Sequence, residues 1–165
     1  MAVHSSTLLS DANRQVQIAD HLLTVTYPMV KDPKLLLSVM EHCRKAIEDS
    51  AQAVVEHHVG NGDYELPQHV MRNGRHDAVA AFADLVKIRS PNIPAANEAV
   101  ALCHEWRQTL QEHKDTHTAF KRDEKLVIAD EGFEQLKEVS PAGLKESLRT
   151  LKRFVHGANQ YLGER

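Results

Sequence analysis

The stretch from Asp32 to His58 constrains the fold more than any other part of the chain. Asp32 and Pro33 are suited to the N-cap and the first helical position, and Gly60-Asn61-Gly62 is suited to a helix end. A helix of roughly 25 residues is about 38 Å long and is not stable alone, so other long helices must cover its apolar face. The apolar residues between these signals recur at steps of three and four, the spacing of one helical face: Leu36, Met40, Cys43, Ile47, Ala51 and Val54.

The preceding segment, residues 6–27, shows a second apolar stripe and predicts the first helix. We expect this helix to end at Tyr27-Pro28, because a residue that precedes proline is disfavoured in the α region. Only residues 28–31 then connect it to the Asp32 helix. A connection this short predicts that the two helices form an antiparallel hairpin.

The remaining chain predicts three further helices and one irregular region. Residues 60–76 carry several Gly, Pro and Asn residues and are expected to form a mobile loop. A short helix follows Asp77, a long one covers residues 94–117, and Ser140-Pro141 opens the last. Residues 125–139 predict a small β-hairpin with Gly132 in the left-handed conformation, although Phe133, Leu136 and Val139 also have helical spacing.

Together these segments predict one all-α domain over residues 1–165. Its architecture is expected to be an up-down bundle of four long helices, with a short extra helix and the small hairpin near 125–139. The last helix has an uninterrupted apolar stripe, which makes a helix-mediated homodimer plausible. The stripe consists of Leu144, Leu148, Leu151, Val155, Ala158 and Leu162.

The composition excludes several classes of protein. Hydrophobic residues make up 42% and aromatic residues only 5%, which favours aliphatic helix packing over a sheet. The net charge of −3 is unlike that of a protein that coats nucleic acid nonspecifically. No signal peptide or transmembrane stretch is evident, so we expect a cytoplasmic protein with no membrane partner. Cys43 and Cys103 fall on apolar stripes and are expected to be buried thiols.

The last helix carries the most specific chemical signal, a basic face opposite its apolar stripe. Residues 140–165 contain five Lys or Arg against two Glu, a balance of +3, so the rest of the chain carries −6. Such a face could bind phosphates or an acidic protein, which predicts a non-enzymatic binding or regulatory module. The alternative is a solvated face on an acidic body. The predicted polyanion-binding residues are Lys145, Arg149, Lys152 and Arg153, with His156 on the same face.

One segment resembles a known group of proteins. Residues 20–37 contain Asp20-His21, Thr24-Val25-Thr26-Tyr27-Pro28 and Lys31-Asp32-Pro33-Lys34-Leu35-Leu36-Leu37. They resemble a family of small uncharacterised archaeal proteins over roughly the first third of the chain. The resemblance implies an archaeal cytosolic protein and no particular activity.

A second resemblance concerns a pattern of Arg and His with four to six residues between them. A long helical hairpin with such a pair resembles the HEPN class of helical-bundle proteins, many of which are RNases. The resemblance implies that Arg and His of two subunits meet at a dimer cleft, where His moves the 2′-OH proton and Arg holds the phosphate. The alternative function is therefore a metal-independent RNase. The pattern occurs at Arg14/His21, Arg107/His113 and Arg149/His156, and the last two pairs are the catalytic candidates.

A single pair of histidines has a spacing that suits metal ligands. His113 and His117 are four residues apart and could face one ion from the same side of a helix. Zinc requires further ligands, and no Glu-x-x-His sequence is present to indicate a di-iron site. We therefore predict neither a metal nor a cofactor.

Overall fold

A computed structural model describes residues 2–116, 118–130 and 132–163. Most of these residues are helical, and they form two small antiparallel sheets besides. The helical class predicted above is therefore confirmed in its main part. The helices are α1 (Ala2–His21), α2 (Tyr27–Val30), α3 (Lys34–Gly60), α4 (Ala78–Arg89), α5 (Ala96–Thr116) and α6 (Pro141–Gly163), with a π-helical turn at Leu22–Thr26 and a 3-10 turn at Gln68–Val70.

The central element is α3, which packs against α1, α4, α5 and α6. Asp32 caps it as expected, because its Oδ1 accepts the Lys34 N–H at 2.9 Å. Gly62, with φ of +73°, follows its end. The predicted stripe is confirmed, since all six of its apolar residues are buried within one contiguous core.

The first helix does not end at Tyr27, so that prediction is wrong. The backbone of Tyr27 is helical, with φ of −60° and ψ of −45°, and its N–H donates to the Leu22 carbonyl across the π-helical turn. A wider turn of this kind moves the preceding carbonyls away from the Pro28 ring, which would otherwise crowd them. The helical path therefore continues to Val30, and Lys31 ends it with a positive φ of 52°.

The hairpin of α1 and α3 is antiparallel, as predicted. Nδ1 of His4 lies 2.7 Å from Oε2 of Glu56. Nδ1 of His42 lies 2.6 Å from Oε1 of Gln15. The start of α1 is thus beside the end of α3, and their middle parts are also in contact.

The expected loop at 60–76 contains a short hairpin, β1 (Met71–Arg72) and β2 (Arg75–His76). Asn73 and Gly74 connect the strands with φ angles of 50° and 76°, the geometry of a type I′ turn. Asp77 then caps α4 as predicted, because its Oδ1 accepts the N–H groups of Val79 and Ala80 at 3.0 and 3.1 Å.

The second sheet has three strands: β3 (Ala119–Arg122), β4 (Lys125–Ala129) and β5 (Leu136–Val139), in that spatial order. The pairing of β4 with β5 falls in the region where a hairpin was expected, whereas β3 is an additional strand. In the connection between β4 and β5, Phe133 has a positive φ of 54°. Leu126, Val127 and Ile128 of β4 are buried, so the sheet contributes to the core.

The apolar side of α6 is covered by the chain itself. Leu144, Leu148, Leu151, Val155 and Ala158 are buried, and α6 packs against α1, α3 and α5. The stripe is therefore unavailable to a second copy, and the reason given above for a helix-mediated dimer does not hold. Close packing fixes the helix near Gly157, where an added Cβ would lie 2.3 Å from Cδ of Pro94.

Replacing Gly157 by Ala should destabilise the protein. The new methyl group would overlap the Pro94 ring, which cannot rotate away, and overpacking of this kind costs about 1–3 kcal/mol. The higher helix propensity of Ala, about 1 kcal/mol, offsets only part of this. We expect a lower midpoint in urea unfolding for Gly157→Ala and recovery in Gly157→Ala/Pro94→Ala. Gly163→Ala is the control, since nothing lies within 4 Å of that position. Equal stability of Gly157→Ala and wild type would contradict the close packing.

Candidate polyanion-binding face

The outer side of α6 carries a line of cationic side chains. At 100° per residue, the five residues that form this basic strip fall within a sector of about 100°, centred about 130° around the helix axis from the buried stripe. All five are exposed, and the strip is about 17 Å long at 1.5 Å per residue. The basic strip consists of Lys145, Arg149, Lys152, Arg153 and His156.

Two of the strip's cations have carboxylate partners. Nη1 of Arg149 lies 3.0 Å from Oε2 of Glu146, and Nζ of Lys152 lies 2.9 Å from Oδ1 of Asp20 on α1. Both pairs are solvent-exposed, with 77% of the Arg149 side chain and 47% of the Lys152 side chain accessible. Exposed pairs contribute at most about 1 kcal/mol, so an anionic ligand could replace either carboxylate.

The other two permanent cations are free to meet an anion. Within the part of the chain that the structure describes, neither Lys145 nor Arg153 forms an ion pair or a side-chain hydrogen bond. Four permanent cations against two carboxylates leave the strip with a charge of about +2 when His156 is neutral. The placement agrees with the residues that the sequence singled out.

The C-terminal end of the strip meets a groove of about 1170 Å³ between α1 and the ends of α3 and α6. Asn159, one turn after His156, donates to the Val155 carbonyl at 2.7 Å and accepts from Nδ2 of Asn13 at 3.3 Å. Hydrogen-bonding side chains dominate the lining, including Ser10, Asn13, Arg14, Gln17, His57 and Asn159. The groove can therefore hold polar groups such as hydroxyls, and the sequence did not indicate it, because its residues come from three distant helices.

Arg107, a catalytic candidate, is held in a half-buried ionic network. Its Nη2 lies 2.7 Å from Oε1 of Glu48 on α3, and its Nη1 lies 2.9 Å from Oδ2 of Asp77. Arg44 is 2.6 Å from the same Glu48 oxygen and 2.6 Å from Oε1 of Glu41. Arg107 therefore connects α5 to α3 and to the start of α4, and its guanidinium is not available to a scissile phosphate.

The two predicted Arg/His pairs differ in geometry. Arg107 borders the network above, whereas His113 lines a separate groove together with Leu37 and Phe120. This pair does not converge within the described chain. Arg149 and His156 share the exposed strip but lie seven residues apart, about 10 Å along the axis. A single phosphate could contact an Arg149 and a His156 together only if the two residues came from different subunits.

Neither thiol shows the features of a reactive cysteine. Cys43 and Cys103 are almost completely buried, and burial raises the pKa of each thiol to about 12. The expectation of buried thiols is confirmed. Of the two histidines considered above as metal ligands, His113 is described but His117 lies outside the described residues. In the described ranges, no three His, Cys, Asp or Glu are grouped as metal ligands would be.

Asp77 is the carboxylate on which the ionic network and the α4 cap both depend. Its side chain is only 12% exposed. Burial opposes ionisation, but the hydrogen bond from Arg107, the N–H groups of Ala80 and Val79 and the charge of Arg107 together lower its pKa below the ordinary value of 3.8. The sequence predicted the cap but not the ion pair, since Arg107 is 30 residues away.

Neither a scan against models of protein families nor searches of curated proteins and of solved structures returned a match to this chain. Across the described ranges, every helix is too short or too polar to cross a bilayer.

The replacement Asp77→Asn should lower the free energy of unfolding at neutral pH and make it vary less as the pH falls. A carboxyl with a lowered folded-state pKa contributes stability above its unfolded pKa, and that contribution is lost as the pH falls through the folded value. We expect Asp77→Asn to unfold about 1–3 kcal/mol more easily at pH 7, and the difference should shrink as the pH falls below about 3.8. Urea unfolding between pH 7 and pH 3 measures this.

The exposed Glu65 provides a matched control, as Glu65→Gln should leave both stability and its acid dependence unchanged. Asn can still cap a helix, so the loss measured for Asp77→Asn reports mainly on the pairing with Arg107. Parallel pH profiles for wild type and Asp77→Asn would show that this pairing does not stabilise the fold.

Proposed function

We propose that the protein is a non-enzymatic binding module that presents its basic strip to a polyanion, with the phosphate backbone of RNA as the ligand that fits best. The observation that carries this proposal is the state of Lys145 and Arg153, which are exposed and have no carboxylate partner among the residues described. A line of cations about 17 Å long can contact several phosphates at once.

The aromatic residues near the strip favour recognition of the backbone over stacking of bases. Phe154 is completely buried against Phe82, with ring centroids 5.5 Å apart. Tyr161 is half-buried and stacks on His58. Proteins that bind single strands without sequence preference usually offer exposed aromatic rings, and α6 offers none on its basic side. The proposed ligand is therefore held by charge, and the polar groove beside the strip supplies partners for ribose hydroxyls.

The packing of α6 against the other long helices holds the basic strip in place. We infer that the four long helices α1, α3, α5 and α6 act as an up-down bundle within a single domain, and that α6 is held along its length. Two contacts support this: Asn13 with Asn159, and Asp20 with Lys152, which place α1 and α6 antiparallel and side by side. A cytoplasmic location is part of the proposal, whereas the homodimer expected from the stripe of α6 is not, because the chain itself covers that stripe.

Charge reversal on the strip should abolish binding. We expect Arg149→Glu/Arg153→Glu to weaken the binding of an RNA duplex at least about 100-fold at low salt, because two attractions become repulsions. For wild type, the slope of log K against log salt should be about −3 to −4, as expected for contacts with four phosphates of a duplex. Fluorescence anisotropy at several salt concentrations gives both quantities.

The matched control is Lys87→Glu/Lys121→Glu, which changes the net charge equally at exposed positions on α4 and β3. Equal loss in the control would show that net charge, not the strip, governs binding. No RNA binding by wild type, together with capture of an acidic protein that depends on Arg149, would assign the strip to a protein partner. RNA shortened during the titration by wild type but not by His156→Ala would assign the RNase function instead.

Removing the carboxylate opposite Lys152 should strengthen binding. The replacement Asp20→Asn frees Lys152 from its 2.9 Å ion pair and removes a negative charge beside the strip. We expect RNA affinity to rise several-fold, because the ligand no longer has to displace a carboxylate from Lys152. The salt slope should stay near that of wild type, since the same four cations contact phosphates. The control is Asp115→Asn on the exposed side of α5. An unchanged or weaker affinity for Asp20→Asn would place the ligand away from the α1 side of the strip.

A further inference from the structure

The hairpin of β1 and β2 holds two guanidinium groups side by side. Its type I′ turn at Asn73-Gly74 fixes the register, in which Arg72 is paired directly with Arg75. Directly opposed residues of antiparallel strands project from the same face, with Cβ atoms about 5 Å apart. The backbone register therefore places the two arginines next to each other, whichever rotamers their side chains adopt.

Nothing in the described part of the chain compensates these two charges. Neither Arg72 nor Arg75 has an ion pair or a side-chain hydrogen bond there, and both line a depression of about 340 Å³ together with His76, Ala78 and Arg107. Like charges directly opposite each other on a hairpin are destabilising. Arg72 and Arg75 therefore repel each other, and no contact within the described residues compensates this repulsion.

The carboxylates that border the depression already have a cationic partner. Glu48 and Asp77 both line it, but each is paired with Arg107, at 2.7 and 2.9 Å. His76 can contact an anion only through Nδ1, because its Nε2 lies 2.8 Å from Oε1 of Gln52. An anion that enters the depression therefore meets two uncompensated arginines and no free carboxylate on its walls.

The hairpin of β3 and β4 also has two opposed cations and allows a comparison. On β3 and β4, Arg122 is opposite Lys125, which again places two cations across from each other. There, however, Nζ of Lys125 lies 2.9 Å from Oε2 of Glu138 on β5. The hairpin of β1 and β2 lacks such a carboxylate, which points to a partner from outside the chain.

We propose that Arg72 and Arg75 form a binding site for one phosphate group. Guanidinium groups bind phosphate oxygens through paired, charge-assisted hydrogen bonds, which suits two arginines held at a fixed spacing. The volume is at the low end of ligand pockets, about 300–1,000 Å³, and suits a phosphate with a small substituent. The site is on a different element from the basic strip and does not depend on the function proposed for it.

The test is a titration of the full chain with inorganic phosphate at constant ionic strength, followed by calorimetry and by thermal unfolding. Wild type should bind and should unfold at a higher temperature as phosphate is raised. Arg72→Ala and Arg75→Ala should each weaken binding at least about tenfold. Without phosphate, both variants should be at least as stable as wild type, because a like-charge repulsion has been removed. Arg75→Lys, which keeps the charge but loses the forked donors, should retain part of the binding.

Two control variants isolate the site. Arg122→Ala removes a cation from the comparable hairpin and should leave the phosphate response unchanged. Arg149→Glu/Arg153→Glu should also leave it unchanged, so that a failure of the strip and a failure of this site can be told apart. Loss of the phosphate response in Arg122→Ala to the same extent as in Arg72→Ala would overturn the proposal. The absence of any phosphate response from wild type would also overturn it, except where RNA binding depends on Arg72.

Two further ligands distinguish the sources of the phosphate group. Binding of glycerol phosphate that is lost in Arg72→Ala would assign a small phosphate ester. Binding of an RNA oligonucleotide without terminal phosphates, lost in Arg72→Ala while small phosphates do not bind, would assign a backbone phosphate. Binding of all ligands without any dependence on Arg72 or Arg75 would show that the hairpin is not a phosphate site.

Discussion

The burial of α3 along one whole side is the constraint on which the rest of the structure depends. A helix of 27 residues with a continuous apolar face must be covered along its full length. Burying a large aliphatic side chain contributes roughly 1.5–3 kcal/mol, and α3 buries Leu36, Met40, Ile47 and Val54 completely or nearly so. The chain meets this requirement by placing α1, α4, α5 and α6 around one helix.

The same packing decides which cations are structural and which are available. Arg107 is brought by α5 against α3, where Glu48 and Asp77 are within reach, and a half-buried guanidinium has to be paired there. Lys145 and Arg153 project from the opposite side of a helix whose apolar face is inward, and they remain in water. An identical side-chain type thus stabilises the fold in one place and forms a candidate ligand surface in another, according to the carboxylates that surround it.

Irregular backbone at a few positions lets the helices fit together. The π-helical turn at Leu22–Thr26 lets the first helix pass Pro28 and continue to Val30. This continuation brings Tyr27 close enough for its hydroxyl to donate to the Glu124 carbonyl at 2.9 Å, so the helix is tied to the turn between β3 and β4. At the other contact, Gly157 lets α6 approach Pro94 more closely than any side chain would allow. Both features serve the placement of helices around α3.

The sequence by itself determined the features that depend on neighbouring residues. The caps at Asp32 and Asp77, the buried stripes of α3 and α6 and the outward basic strip were all predicted correctly, because capping and helical periodicity act over one or a few turns. The Asn73-Gly74 turn also carried a local signal for a hairpin that was overlooked. Only the tertiary structure decided that α6 buries its stripe against its own chain, that β3 joins the sheet and that Arg107 is an ion-pair partner and not a free cation. Arg107 and Glu48 are 59 residues apart, and their contact exists only after α5 has packed on α3, so no pattern of spacing along the chain could reveal it.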